Sequence, residues 1–200
     1  YHYARIFQRA KDGEVIPIPV ACLTDRDVVP DAANGYISRP ENGAPRFEAD
    51  FTPEQLADWV KAKVDRAAGG NTIVCVSNRW TFEFDLARYG CGELMHMAIQ
   101  LAVKANSTGE RLDEKAELLA MTAAAEAWQQ LSKAGHTEDT LASLIYKPLA
   151  TGKASKAVAA QYAAHLIETG NYGEGAVLFD KLPPYLKDAL IWLTGKAPGA

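Results

Sequence analysis

The chain has 200 residues, 48% apolar and 23% charged, with a formal net charge of −4. This is the composition of an ordinary globular protein with ample material for a core, and it excludes low-complexity and fibrous classes. The acidic balance gives no overall basic character of the kind that marks nucleic-acid binders.

Cys22, Cys75 and Cys91 form no CxxC pair, so neither a disulfide framework nor a zinc site is expected, and a reducing interior suits them. No signal peptide or bilayer-length apolar run is visible, so no membrane partner is expected. The chain opens on Tyr1 within what reads as structured sequence, and the expectation is a fragment of something longer.

Tyr3, Ile6 and Phe7 stand at helical spacing and predict a short helix over residues 2–9, followed by a turn at Lys11-Asp12-Gly13. A strand is expected over residues 15–24. Pro17 and Pro19 suit its entry or an edge, because neither can donate to a ladder. The apolar run 16–23 ends abruptly in Asp25 and Asp27, which places two carboxylates at a strand's carboxyl end. Open parallel sheets bind ligands there. Two acids at one spot repel unless a cation or proton lies between them, and oxygen-only ligation suits Mg²⁺ or Mn²⁺. The competing reading is a surface turn whose aspartates cap backbone amides. A calcium loop of the EF-hand kind fails, because its fifth, sixth and twelfth positions would be Val29, Pro30 and Tyr36.

Residues 28–50 carry Gly, Asn and Pro with little periodicity. They read as a long loop, which beside two acids is more often functional than idle. Thr52-Pro53-Glu54-Gln55 then starts a helix with a capping box and proline at its first position. That helix is expected to run to about residue 68, with Leu56, Trp59, Val60 and Val64 on one stripe and Gly69-Gly70 ending it. Residues 71–77 form a second apolar strand. Strand, helix, strand of this size is a crossover unit and hence a parallel pair.

The next segment, residues 78–86, continues directly, so Thr81, Glu83 and Asp85 fall near the end of the second strand and share a face if it is extended. With neighbouring strands, those side chains approach Asp25 and Asp27. The alternative is a half-exposed strand with Trp80, Phe82, Phe84 and Leu86 inward. Beyond Gly92 the pattern turns helical over 93–105, 113–133 and 137–146, with Thr137 as a cap. These helices read as a hairpin or small bundle laid against the α/β part.

Lys147, Lys153 and Lys156 lie in a stretch without acids between Asp139 and Glu168. A helix over 155–168 puts Lys156 in its first turn, where a cation opposes the helix dipole. That placement hints at a facing phosphate or acid cluster, against the alternative of a solvated lysine. A last helix opens at Leu182-Pro183-Pro184-Tyr185 and runs to Gly195. His96 and His165 read as packed or half-exposed residues rather than ligands. There is no Walker A loop, GxSxG elbow or HExxH motif, and Gly90-Cys91-Gly92 only begins like GxGxxG.

The stretch Ile18-Pro19-Val20-Ala21-Cys22-Leu23-Thr24-Asp25-Arg26-Asp27 resembles the Asp-x-Asp strand of Toprim domains. Thr81-Phe82-Glu83-Phe84-Asp85-Leu86 is similar to the Thr-x-Glu-Tyr-Asp-Leu segment of the overcoming-lysogenisation-defect (OLD) branch of Toprim nucleases. Lys156-Ala157-Val158-Ala159-Ala160-Gln161 resembles that family's late lysine-led helix, and Leu182-Pro183-Pro184-Tyr185-Leu186 its closing helix.

The resemblance implies an α/β fold, with a Toprim-like parallel sheet core flanked by helices and an added helical subdomain. Residues 1–104 would form the core without its first strand, 105–150 the subdomain, and 151–200 helices returning to the core. It implies a metal-dependent DNA endonuclease using one or two Mg²⁺ or Mn²⁺ ions, with DNA and an upstream ABC-type ATPase domain as partners. A homodimer through the ATPase part and a cytoplasmic setting of bacterial or phage origin follow from the same likeness. Asp25 and Asp27 match the metal aspartates, Glu83 the second acidic element, and Lys156 the late lysine, with Lys153 as the fallback. Thr81 occupies a polar position for a water or the metal, and Asp85 is a weaker candidate. The glutamate that Toprim domains carry on their first strand lies upstream of this sequence, and Glu14 does not stand in its context. A primase-type nucleotidyl transferase and a non-catalytic regulatory module are the alternatives on the same scaffold.

Overall fold

The computed structural model of the protein describes residues 2–8, 10, 11, 14–44, 46–169, 172 and 175–195, with backbone alone at 2, 10, 11, 14 and 15. Among these residues the fold is mixed α/β and mostly helical. Helix α1 (His2–Phe7) precedes a two-residue antiparallel hairpin of β1 (Ala10–Lys11) and β2 (Glu14–Val15). Arg9, Asp12 and Gly13, on which part of the first expected helix and turn falls, lie outside the described residues.

The strand expected over 15–24 is shorter than anticipated. It starts only at Val20, because Pro17 and Pro19 bring no N–H to a ladder. This strand, β3 (Val20–Thr24), pairs in parallel with β4 (Thr72–Val76), Val20 opposite Thr72 and Thr24 opposite Val76. The crossover between them is α2 (Pro53–Asp65), and its start is the expected capping box. Thr52 Oγ1 accepts the Gln55 N–H at 3.3 Å while Gln55 Oε1 accepts the Thr52 N–H at 2.8 Å. The loop between β3 and α2 is anchored rather than free, since Val28, Val29, Ala33 and Phe47 are all buried.

One element differs in kind from the expectation. Thr81 to Asp85 is not the extended tail of a strand; it opens helix α3 (Phe82–Tyr89). The alternating aromatics mimic a strand, but Thr81 caps the helix by accepting the Phe84 N–H at 3.3 Å. Phe84 then enters the core fully buried.

Among the described residues six more helices follow: α4 (Gly92–Thr108), α5 (Glu114–Lys133), α6 (Glu138–Ala150), α7 (Lys156–Glu168), α8 (Gly175–Asp180) and α9 (Pro184–Thr194). Helix α4 is apolar nearly all round, with Leu94, Met97, Ile99 and Leu101 buried, and α3, α5, α6 and α7 pack against it. The expected boundary at residue 104 therefore falls inside α4, within the main core. A second, smaller cluster of Cys75, Tyr185, Leu186 and Ala189 seats α9 on the two-stranded sheet. Among the described residues no helix is long and apolar enough to cross a membrane.

Candidate functional site

Thr24 and Val76 end the two parallel strands side by side, so the loops that follow leave from one edge. Those loops are stitched together by buried hydrogen bonds. Ser77 Oγ accepts the Arg26 N–H at 2.7 Å and donates to the Trp80 carbonyl at 3.0 Å. The Asp27 N–H reaches the same carbonyl at 3.2 Å, and the Trp59 indole donates to the Arg26 carbonyl at 2.7 Å. The backbone carrying both aspartates is thereby fixed before any ligand arrives.

Between the two more exposed aspartates Arg26 turns inward, donating to the Asn78 carbonyl at 2.6 Å and pairing with Glu48 at 3.2 Å. Asp27 stands at φ 63°, the one positive φ at a non-glycine among the described residues. Aspartate tolerates that region better than most residues, but it still costs on the order of 1 kcal/mol.

Asp25 Oδ1 accepts the Phe82 N–H, the first amide of α3, at 2.9 Å. Burial nonetheless pushes its carboxyl above the ordinary range; the Phe82 amide and Lys156 pull it back, and Glu83 and Asp27 push it up again. Those four side chains thus share one electrostatic neighbourhood. Glu83 lies on the same side as the aspartates and pairs with Lys156 Nζ at 2.9 Å, so the amine of Lys156, not that of Lys153, reaches the acids. Lys156 also lies over the Tyr146 ring at 5.5 Å, and Tyr146 packs edge-on against Trp80.

Two predicted residues point elsewhere. In a helix, residues two apart diverge by about 200°, so Asp85 faces the interior while Glu83 faces the site. Asp85 Oδ2 accepts the Asn78 N–H at 2.6 Å, and burial raises its carboxyl to about 6. Thr81 uses its hydroxyl as the α3 cap. Asp85 holds the loop after β4 and Thr81 holds the helix start; neither faces the aspartates as an extended segment would have required.

Sequence reasoning passed over two residues. Lys63, whose side chain is only 10% exposed, pairs with Asp27 Oδ2 at 2.5 Å, while the Asp27 side chain is 60% exposed. Its signal was a lysine four residues after Trp59 and seven after Leu56, on the apolar stripe of α2. Tyr185 lines the cavity of about 610 Å³ that also holds Leu23, Thr24, Asp25, Asp27 and Phe82. A second cavity, of about 670 Å³ between α4, α5 and α7, contains the His165–Glu117 pair at 3.2 Å but none of the predicted acids. Its shape is more enclosed, yet the chemistry lies at the strand ends.

The donor set fits a hard divalent cation: three carboxylates offering oxygen only, one of them short of counter-charge. Among the described residues, however, no three Asp, Glu, His or Cys side chains stand as a ready-made metal cluster. Asp27 is turned to Lys63 and Glu83 to Lys156. His96 is buried against Trp128, and burial lowers its basicity. All three cysteines are free thiols.

No protein-family model matches the chain, and no characterised protein or solved structure gives a significant match.

Proposed function

We propose that the chain is the catalytic region of a divalent-metal-dependent DNA endonuclease on a Toprim-like core. It would work in the cytoplasm with an upstream ABC-type ATPase domain, as in OLD nucleases. The observation that carries this reading is the convergence of Asp25, Asp27, Glu83 and Lys156 at the shared carboxyl edge of two parallel strands. A phosphodiester is the substrate class that needs both an acid cluster for a cation and a cationic side chain beside it.

Asp25, Asp27 and Glu83 are the residues that would hold the ion, which when bound supplies Lewis-acid neutralisation of charge on the phosphoryl oxygens. Asp27 and Glu83 give up their lysine pairs to do so. The partly exposed Glu83–Lys156 pair contributes only about 0–1 kcal/mol, whereas parting Asp27 from the nearly buried Lys63 costs more, because that amine loses its counter-charge. Lys156, released from Glu83, then acts as a point charge on the scissile phosphate. The stitched backbone of residues 25–27 leaves little ordering to be done on binding.

The test is cleavage of supercoiled plasmid with Mg²⁺ or Mn²⁺ by the wild type, Asp27→Ala and Lys156→Met. Wild-type nicking that falls by at least about 100-fold in both variants supports the reading; undiminished cleavage by either one ends it. One observation favours a second reading, a non-catalytic Toprim-like regulatory module: Asp27 and Glu83 already have lysine counter-charges. On that reading the wild type neither cleaves DNA nor binds the cation.

A further inference from the structure

Tyr185 stands at the start of α9, with its ring in the small core formed by Cys75, Leu186 and Ala189. It is 7% exposed, and its hydroxyl is buried without a hydrogen-bond partner among the described residues. A phenylalanine would fill the same apolar space without leaving a polar atom unsatisfied, so the core does not account for the hydroxyl. The residue lines the cavity it shares with Asp25 and Asp27, and Asp85, Asp25 and Glu83 are the acids whose charge reaches its phenol. On that same cavity Asp25 gives Oδ1 to the Phe82 amide, while its other oxygen takes no hydrogen bond among the described residues. Tyr185 and Asp25 therefore line one cavity, and among the described residues the other buried oxygen without a partner, of the acids that reach the phenol, is Asp85 Oδ1.

We infer that Tyr185 is a positioning residue for Asp25: its phenol O–H donates to the free oxygen of that carboxylate when Asp25 turns to hold a divalent cation. The inference rests on the metal-binding reading above and adds a residue to it. The surroundings keep the phenol a donor. Burial comes first, and then the negative charges of Asp85, Asp25 and Glu83 all oppose its ionisation. Lys156 and Lys63 balance Glu83 and Asp27, so Asp25 is the acid at this cavity with neither lysine in direct contact. A hydrogen bond from Tyr185 fixes one of its oxygens and leaves the other electron pairs for the ion.

The experiment combines thermal unfolding without metal with calorimetric titration of Mn²⁺ into wild type, Tyr185→Phe, Asp25→Asn and the double variant. Expected is a metal-free Tm for Tyr185→Phe equal to or above wild type, with Mn²⁺ bound about tenfold more weakly. In the Asp25→Asn background, Tyr185→Phe has no further effect on Mn²⁺. Equal Mn²⁺ affinity in wild type and Tyr185→Phe overturns the inference while leaving the metal site standing. A Tm lowered by several degrees overturns it as well, because the hydroxyl would then have a partner in the free protein. If the wild type binds no Mn²⁺, the metal reading and the inference fall together.

Discussion

Replacing Asp85 with asparagine removes a fully buried charge while keeping an oxygen for the Asn78 amide, 2.6 Å away. The Asp85 carboxyl titrates at about 6 against an ordinary value of 3.8, chiefly because burial disfavours its charge. The folded state therefore holds this proton more tightly than the unfolded chain does. Its contribution to stability is complete below about pH 4 and is lost as pH rises through about 6. With roughly 1.4 kcal/mol for each pKa unit, ionising Asp85 in place costs about 3 kcal/mol at neutral pH. Urea unfolding of wild type and Asp85→Asn between pH 4 and 8 reads this directly. Asp25 and Glu48, also raised by burial, are common to both proteins and cancel in the difference. The asparagine variant should gain about 3 kcal/mol on wild type between pH 4 and pH 7. Parallel pH profiles would refute the reasoning. Asp85→Ala, which strands the loop amide, should lose about 1–3 kcal/mol at pH 4 and recover about 3 kcal/mol relative to wild type as pH rises, because it too lacks the buried charge.

Two further substitutions probe the packing behind the site. A Cβ at Gly92 would stand 3.0 Å from the Ala87 carbonyl and 3.2 Å from the Trp128 ring, so Gly92→Ala should cost about 1–3 kcal/mol in denaturant unfolding. Tyr36→Phe removes the hydroxyl that meets the Ser143 carbonyl and Oγ at 3.0 Å each, and should cost about 1 kcal/mol by the same assay. Ser143 keeps its bond to the Ala32 carbonyl at 2.9 Å, which bounds the loss.

Local signals carried the architecture well where chemistry and pattern agreed. Thr52 with Pro53 and Gln55 marked the start of α2 and Thr137 that of α6, while Asp113 and Ser155, expected as the first residues of their helices, cap α5 and α7 from outside. The parallel pairing of β3 with β4 followed from apolar runs flanking one amphipathic helix. The segment from Trp80 to Leu86 misled because a two-residue alternation and a capped helix can be written with the same residues. Packing of Phe84 against Trp80 and Tyr146 decided for the helix. That change separated Asp85 from Glu83. Lys63 and Tyr185 were hidden for another reason: each presents a polar tip on an apolar stripe, and only tertiary contacts show where the tip goes.

The claim on which the account turns is that Asp25, Asp27 and Glu83 take up a divalent cation together. Calorimetric titration of Mn²⁺ into the wild-type chain and into Asp25→Asn, Asp27→Asn and Glu83→Gln tests it most directly. The account predicts saturable binding of one or two ions by the wild type, weakened at least tenfold in each variant. Binding that is absent in the wild type, or unchanged by all three substitutions, would contradict it.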